Sequence, residues 1–356
     1  MLIEIDESIL KEVERNSKDV FKSLDLLAQC TREGHHLVYA EIKLLRVLSL
    51  INELSDDANA TYAALINRMA MLKKVKANIS DYIVCYIDSE SKGIFKKDSA
   101  VWIPLDWFDS SIKIQPTMLV AENDSDCELY SVIGKLFSAT KNLPTGISFV
   151  DMPGGGNTIG LIYKKRQCTV PTPILCIADS DKSCPNVDFG PTAKKVEFNY
   201  DPKNLLSKYE ILPVRMLENL LPIKFYKELY GEVPDKKDGI RFLEELSKDD
   251  KLTDVRKYIH FKNGICYEKI AKTDKPAKLA YWNSVETDLR KISKVIKGDK
   301  VMPSFGSKIL EHALDYFSRG NNILDFKDDE FTSEYAYEIS AKIYSWGCAT
   351  GSLRNF

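Results

Sequence analysis

Histidine is scarce in this chain, with four in 356 residues, so a metal centre built on several imidazoles is disfavoured from the start. Long apolar runs are missing too. The longest fall far short of the roughly 20 residues that span a bilayer, and the opening MLIEIDESIL lacks the basic and apolar regions of a secretory leader. The expectation is a cytoplasmic protein with no membrane association. The eight cysteines (Cys30, Cys85, Cys127, Cys168, Cys176, Cys184, Cys266, Cys348) form no CxxC pair and no Cys/His grouping with zinc spacing. Several lie inside apolar runs, as reduced core thiols do. An excess of one charge is absent as well: 50 Lys and Arg against 52 Asp and Glu leave a net −2. There is no overall basic footprint for nucleic acid, and such binding needs local basic patches or a partner chain. No GxxxxGK[ST] phosphate loop, low-complexity linker or internal repeat occurs. With 44% hydrophobic and 29% charged residues, what remains is a globular chain of two or three tightly packed domains.

Residues 1–80 carry helical periodicity: Ile9, Val13, Val20, Leu24 and Leu27, then Leu37, Ala40, Leu44, Val47 and Leu48, then Tyr62, Leu65, Ile66, Met69 and Leu72. This predicts an N-terminal helical bundle, of a kind that packs on a main domain or forms a dimer or partner surface. His35-His36 reads as a turn or helix start, since adjacent helical residues point in different directions. Residues 81–115 form a β-rich junction, with strand compositions near 82–87 and 100–107. Residues 116–232 alternate strand and helix, and residues 233–356 read as a C-terminal helical region rich in lysine and acid. Within the last two, a strand is expected at 195–200 and a helix starting near Pro213.

The stretch with most chemistry in it is 171–186, PTPILCIADSDKSCPN. Its four apolar residues, Ile174 to Ile177, read as a buried parallel strand running into Asp179-Ser180-Asp181. Two carboxylates this close repel unless a cation stands between them, and hard oxygen donors suit Mg²⁺ or Mn²⁺. Two earlier strands precede it. Thr117 to Ala121 ends at Glu122, with Asp126 positioned to cap the following helix. Residues 146–150 lead into Gly154-Gly155-Gly156, a run that either lets amides approach a phosphate or makes a tight turn. The β-α-β-α-β order implies parallel strands with right-handed crossovers, so all three groups land on one edge of one sheet. Receiver modules place their acidic pair after the first strand, which disfavours that rival.

Glu122, then glycines, then Asp-x-Asp at three successive strand ends resembles the Toprim domain, and most closely the nuclease branch of the overcoming-lysogenization-defect (OLD) family. The first motif there often reads VEGxxD; here it is Val120-Ala121-Glu122-Asn123-Asp124-Ser125-Asp126, with Asn123 in place of glycine, a residue that tolerates left-handed backbone. The branch also tends to carry a Glu-Asn pair on a later helix, matched by Glu218-Asn219. The resemblance spans about residues 116–222. It implies an α/β Toprim-like parallel-sheet core and a divalent-metal-dependent endonuclease, a hydrolase of DNA or RNA (tRNA included). Glu122, Asp126, Asp179, Asp181 and Glu218 would be the ligands of Mg²⁺ or Mn²⁺, with Glu122, Asp179 and Asp181 catalytic. Lys297, in KVIKGDK, fits the family's phosphate-neutralising lysine loosely, with Lys182 as the alternative. Two-metal phosphodiester hydrolysis needs such a carboxylate clamp. Topoisomerase and primase activities need further apparatus that is not evident here. The resemblance further implies an effector of anti-phage defence held by a separate ATPase or sensor protein. The alternative is a catalytically silent Toprim-fold sensor or interaction subunit.

Overall fold

The structure, a computed structural model, describes residues 1–14, 18–88, 90, 92–273, 275–293, 300–319 and 322–350. The protein is mixed α/β with two parallel-stranded sheets. The central sheet contains Thr117–Ala121, Phe149–Pro153, Ile174–Ala178 and Ser207–Ile211, all paired in parallel. Its spatial order, numbered along the chain, is 2-1-3-4. Winding therefore reverses between the first and third strands. Thr117–Ala121 and Ile174–Ala178 are buried at every position, which explains runs that are continuously apolar instead of alternating. The crossovers are the helices Asp124–Lys141, Ile159–Thr169 and Pro191–Asn199. Residues 195–200, expected as a strand, mostly belong to the last of these. Pro191 starts that helix, and Ala193 and Val196, three apart, are its buried stripe. The strand is Ser207–Ile211 instead.

The helical bundle expected over 1–80 is corrected. Leu2–Ile5 and Leu37–Ala40 are strands, and with Tyr82–Tyr86 and Ala100–Pro104 they form a second parallel sheet of order 2-1-3-4. Phe95–Lys97 joins it antiparallel at the edge. The expected junction at 81–115 is thus the other half of this sheet. Both early strands are only four residues long, too short to show a period. Leu37 and Ala40 stand three apart, and with Leu44 and Leu48 they imitate a helical stripe. The helices Lys18–Arg32, Ile42–Leu48, Asp56–Asn67 and Met69–Lys76 do form in this region.

The C-terminal region is mainly helical, with Pro234–Leu246, Pro276–Ile292, Ile309–Ser318 and Glu330–Gly347. A short antiparallel pairing of Ile265–Cys266 with Lys300–Met302 interrupts it. Glu330–Gly347 lies along the Asp124–Lys141 helix, with the Phe137 ring 5.5 Å from Tyr337 and 5.2 Å from Tyr344. Among the described residues no helix is long and apolar enough to cross a membrane.

Candidate functional site

Four parallel strands bring the residues that follow them to one edge of the central sheet: Glu122, the 154–156 glycines, Asp179 to Asp181, and the segment from Arg215 to Glu218. Glu122 and Asp179 follow the first and third strands. These are neighbours and flank the switch point, the place where open α/β sheets bind ligands. Gly154 N donates to Ala121 O (2.7 Å) and Gly156 N to Glu122 O (3.1 Å). Those amides are spent on a tight turn that braces the Glu122 backbone, and Gly155 and Gly156 have φ of 64° and 63°.

Asn123 is not left-handed, contrary to expectation. Its φ of −138° and ψ of 169° are extended, and it is the N-cap of the Asp124–Lys141 helix. Asp126 Oδ2 accepts from Asn123 N (2.9 Å) and Asn123 Nδ2 (3.2 Å), which aims a buried carboxyl back toward Glu122. The left-handed residue is Asp181, with φ 54°. Gly190 lies directly against it: a Cβ at 190 would overlap Asp181 Cβ and come within 2.6 Å of Oδ2. Gly190→Ala should therefore displace the Asp181 carboxylate or cost about 1–3 kcal/mol of stability. Thermal melts and divalent-cation titration of this variant would read the effect, and wild-type values in both would show that the loop yields freely. Ser180, between the two aspartates, is an anchor whose Oγ donates to Val214 O (2.6 Å). Asp179 Oδ1 accepts from Leu217 N (3.0 Å), which ties the third strand end to the fourth.

Glu218 sits in a short 3₁₀ turn, Leu217–Leu220, rather than in the α-helix expected from near Pro213. It is fully buried. Lys262 Nζ lies 2.8 Å from its Oε1, while Oε2 has no hydrogen-bond partner. Asn219 is the clamp beneath. Its Nδ2 donates to Arg256 O (2.6 Å) and Ile259 O (3.1 Å), and its Oδ1 accepts from Met216 N (3.1 Å). The Phe261 ring stacks on Tyr226 at 5.2 Å, and Tyr226 Oη donates to Glu218 O (2.9 Å). One aromatic stack thus holds Lys262 and Glu218 in register.

The five carboxylates act on one another. Burial pushes Glu122 up to about 7, reinforced by Asp126, Asp181 and Glu218 and opposed by Lys262. Burial and then Glu218 push Asp126 up to about 6, opposed by the Asn123 hydrogen bonds and Lys262. Asp179 is held well above the usual carboxylate range by burial, Glu218, Glu122, Asp126 and Asp181. Asp181 is raised by burial, with Arg215 and Lys262 pulling the other way. Negative charge is concentrated here beyond what two cationic side chains offset. Among the described residues, however, no three His, Cys, Asp or Glu side chains are grouped closely enough to hold an ion as they stand.

Lys262 and Arg215 were not expected from the sequence. The one local signal for Lys262 is the Asn263-Gly264 turn behind it, where Gly264 has φ 73°. Lys297 lies outside the described residues. Lys182 stands over the Phe189 ring, 4.7 Å from its centroid. Compared with protein-family models, with curated proteins and with solved structures, the chain matches none.

Proposed function

We propose that this chain is a Toprim-type endonuclease, hydrolysing phosphodiester bonds of DNA or RNA with Mg²⁺ or Mn²⁺. The observation that carries the reading is Glu218: a fully buried carboxylate with an unpartnered oxygen, set among four others whose protons are held above their ordinary range. A fold that crowds acids in this way bears a repulsive cost that a bound cation removes. The donors are all carboxylate oxygens, the set that Mg²⁺ and Mn²⁺ prefer. Drawn closer than they stand, Glu122, Asp179 and Asp181 would hold one ion, and Asp126 with Glu218, through the oxygen not paired with Lys262, a second. Such ions supply an activated water and stabilisation of the leaving oxygen. The ammonium of Lys262 would meet the charge that grows on the phosphoryl oxygens. Arg215 flanks the aspartates and would orient the strand. In this reading the chain is an effector, gated by a separate ATPase or sensor protein.

The experiment is direct. Plasmid, single-stranded oligonucleotide and tRNA are each incubated with the purified chain in Mg²⁺ or Mn²⁺, and in EDTA. Cleavage in either metal that disappears in EDTA is expected, and cleavage that persists in EDTA would defeat the proposal. A second reading, the silent sensor subunit, is favoured by one observation. Lys262 already pairs with Glu218, and the acids are not drawn together around one point. Cation binding without cleavage of any of the three substrates would select it.

A further inference from the structure

Beside the carboxylates is a cavity of about 190 Å³ whose lining includes Arg215, Tyr258, His260, Lys269, Lys278 and Trp282. It shares its walls with the acidic site. Arg215 lines the cavity and also feels the charges of Asp181 and Asp179. The loop that carries Lys262 supplies His260, Asn263 and Gly264. On the far side Trp282 Nε1 donates to Ser183 O (2.9 Å), which fastens the Pro276–Ile292 helix to the loop after Asp181. The charge, though, is of opposite sign. Arg215, Lys269 and Lys278 line the cavity and, among the described residues, no acidic side chain does, in a chain whose net charge is −2. The volume is below the roughly 300–1,000 Å³ of pockets that enclose whole small ligands. It suits one group of a longer molecule.

Two of the lining side chains each carry a buried nitrogen with no hydrogen-bond partner, Arg215 Nε and His260 Nδ1, while Arg215 Nη1 donates to Tyr258 O (3.3 Å). Asn263 Nδ2 stands 3.0 Å from His260 Nε2. With that nitrogen accepting, the ring proton resides on Nδ1. Burial, Arg215 and Lys262 push His260 down to about 4, so at neutral pH it is an uncharged donor. We infer that this cavity is a phosphate subsite, gripping the phosphodiester next to the one held at the carboxylates. A nucleic-acid strand laid across five acids is repelled by them, and a cationic recess one step along offsets that repulsion. This inference rests on the nuclease reading.

The test uses fluorescein-labelled 20-nucleotide single strands, one DNA and one RNA, titrated with the full chain in Mg²⁺ at several salt concentrations. Asp179→Asn is the background, to prevent cleavage. Lys269 is exposed, so its substitution spares the core. Lys269→Glu is expected to weaken binding about tenfold at 0.1 M salt and to flatten the slope of log Kd against log salt by about 0.7; Lys269→Arg should restore both. The strand that shows this loss names the substrate. Unchanged affinity and slope in Lys269→Glu would overturn the subsite while leaving the nuclease reading to its own cleavage assay. Binding of a polyglutamate peptide as tight as that of either strand would overturn it too.

Discussion

Asp179→Asn is expected to lose more than about a hundredfold in cleavage rate and, in metal-free buffer at neutral pH, to melt at a higher temperature than the wild-type chain. The two effects have one cause. An asparagine Oδ1 can still accept the Leu217 N–H, so the tie between the third and fourth strand ends survives. What disappears is a carboxylate that burial first, and then the charges of Glu218, Glu122, Asp126 and Asp181, hold above its ordinary range. Removing a group that merely supports a metal ligand typically costs about 10–100-fold, so losing a ligand should cost more. Removing the repulsion should stabilise the empty fold, the reverse of what most buried substitutions do. Functional residues that oppose stability in this way mark a site shaped for a ligand. Wild-type cleavage by the variant would sink the assignment, and a lower melting temperature would sink the account of the repulsion.

The carboxylates of the metal-free protein should cost stability as pH rises from about 4 to about 7, against the opposite contribution of His260, which is held down to about 4 by burial, and Mg²⁺ should remove that cost. Glu122 moves from an ordinary 4.5 up to about 7 and Asp126 from 3.8 up to about 6. At about pH 3 and below both largely hold their protons whether folded or unfolded, and neither costs much. Through the window the unfolded chain releases protons that the folded chain retains, so folding is penalised progressively. Above about pH 7 the full penalty is present. At about 1.4 kcal/mol per unit, Glu122 contributes about 3 kcal/mol as a ceiling, because the carboxylates share one repulsion and titrate together. A divalent cation takes only the ionised set, so its affinity rises with pH over the same range. At a hundredfold excess over Kd it should add about 2.7 kcal/mol. Melting curves at pH 5, 6, 7 and 8, with and without Mg²⁺ or Mn²⁺, read both effects. In Glu218→Gln the metal-induced shift should shrink. A profile that Glu122→Gln leaves unchanged, with no metal response, would reject the idea that these acids form one cation site.

Much of the central sheet could be read without coordinates. Thr117–Ala121 and Ile174–Ala178 are buried on both faces, so their composition is uniformly apolar, and each is followed at once by acid. Strand–helix alternation then puts those acids on one edge whatever the details of packing. The same logic failed where strands were short. Leu2–Ile5 and Leu37–Ala40 acquire their identity only by pairing with each other and with Tyr82–Tyr86, contacts far apart in sequence. Residues 195–200 carry β-compatible side chains but follow a helix-starting proline, Pro191, whose effect outweighs them.

By itself, then, the sequence determined an α/β chain, the strands that carry Glu122 and Asp179, and a set of carboxylates aligned at their ends. Local pattern suffices for these, because each depends on residues within one strand and the turn after it. Only the tertiary structure decided that Lys262 stands against Glu218, that Arg215 joins the acids to a cationic cavity, and that Gly190 leaves room for Asp181. Those relations arise from close packing between segments tens of residues apart. A lysine on a loop has no periodicity to betray which charge it will meet.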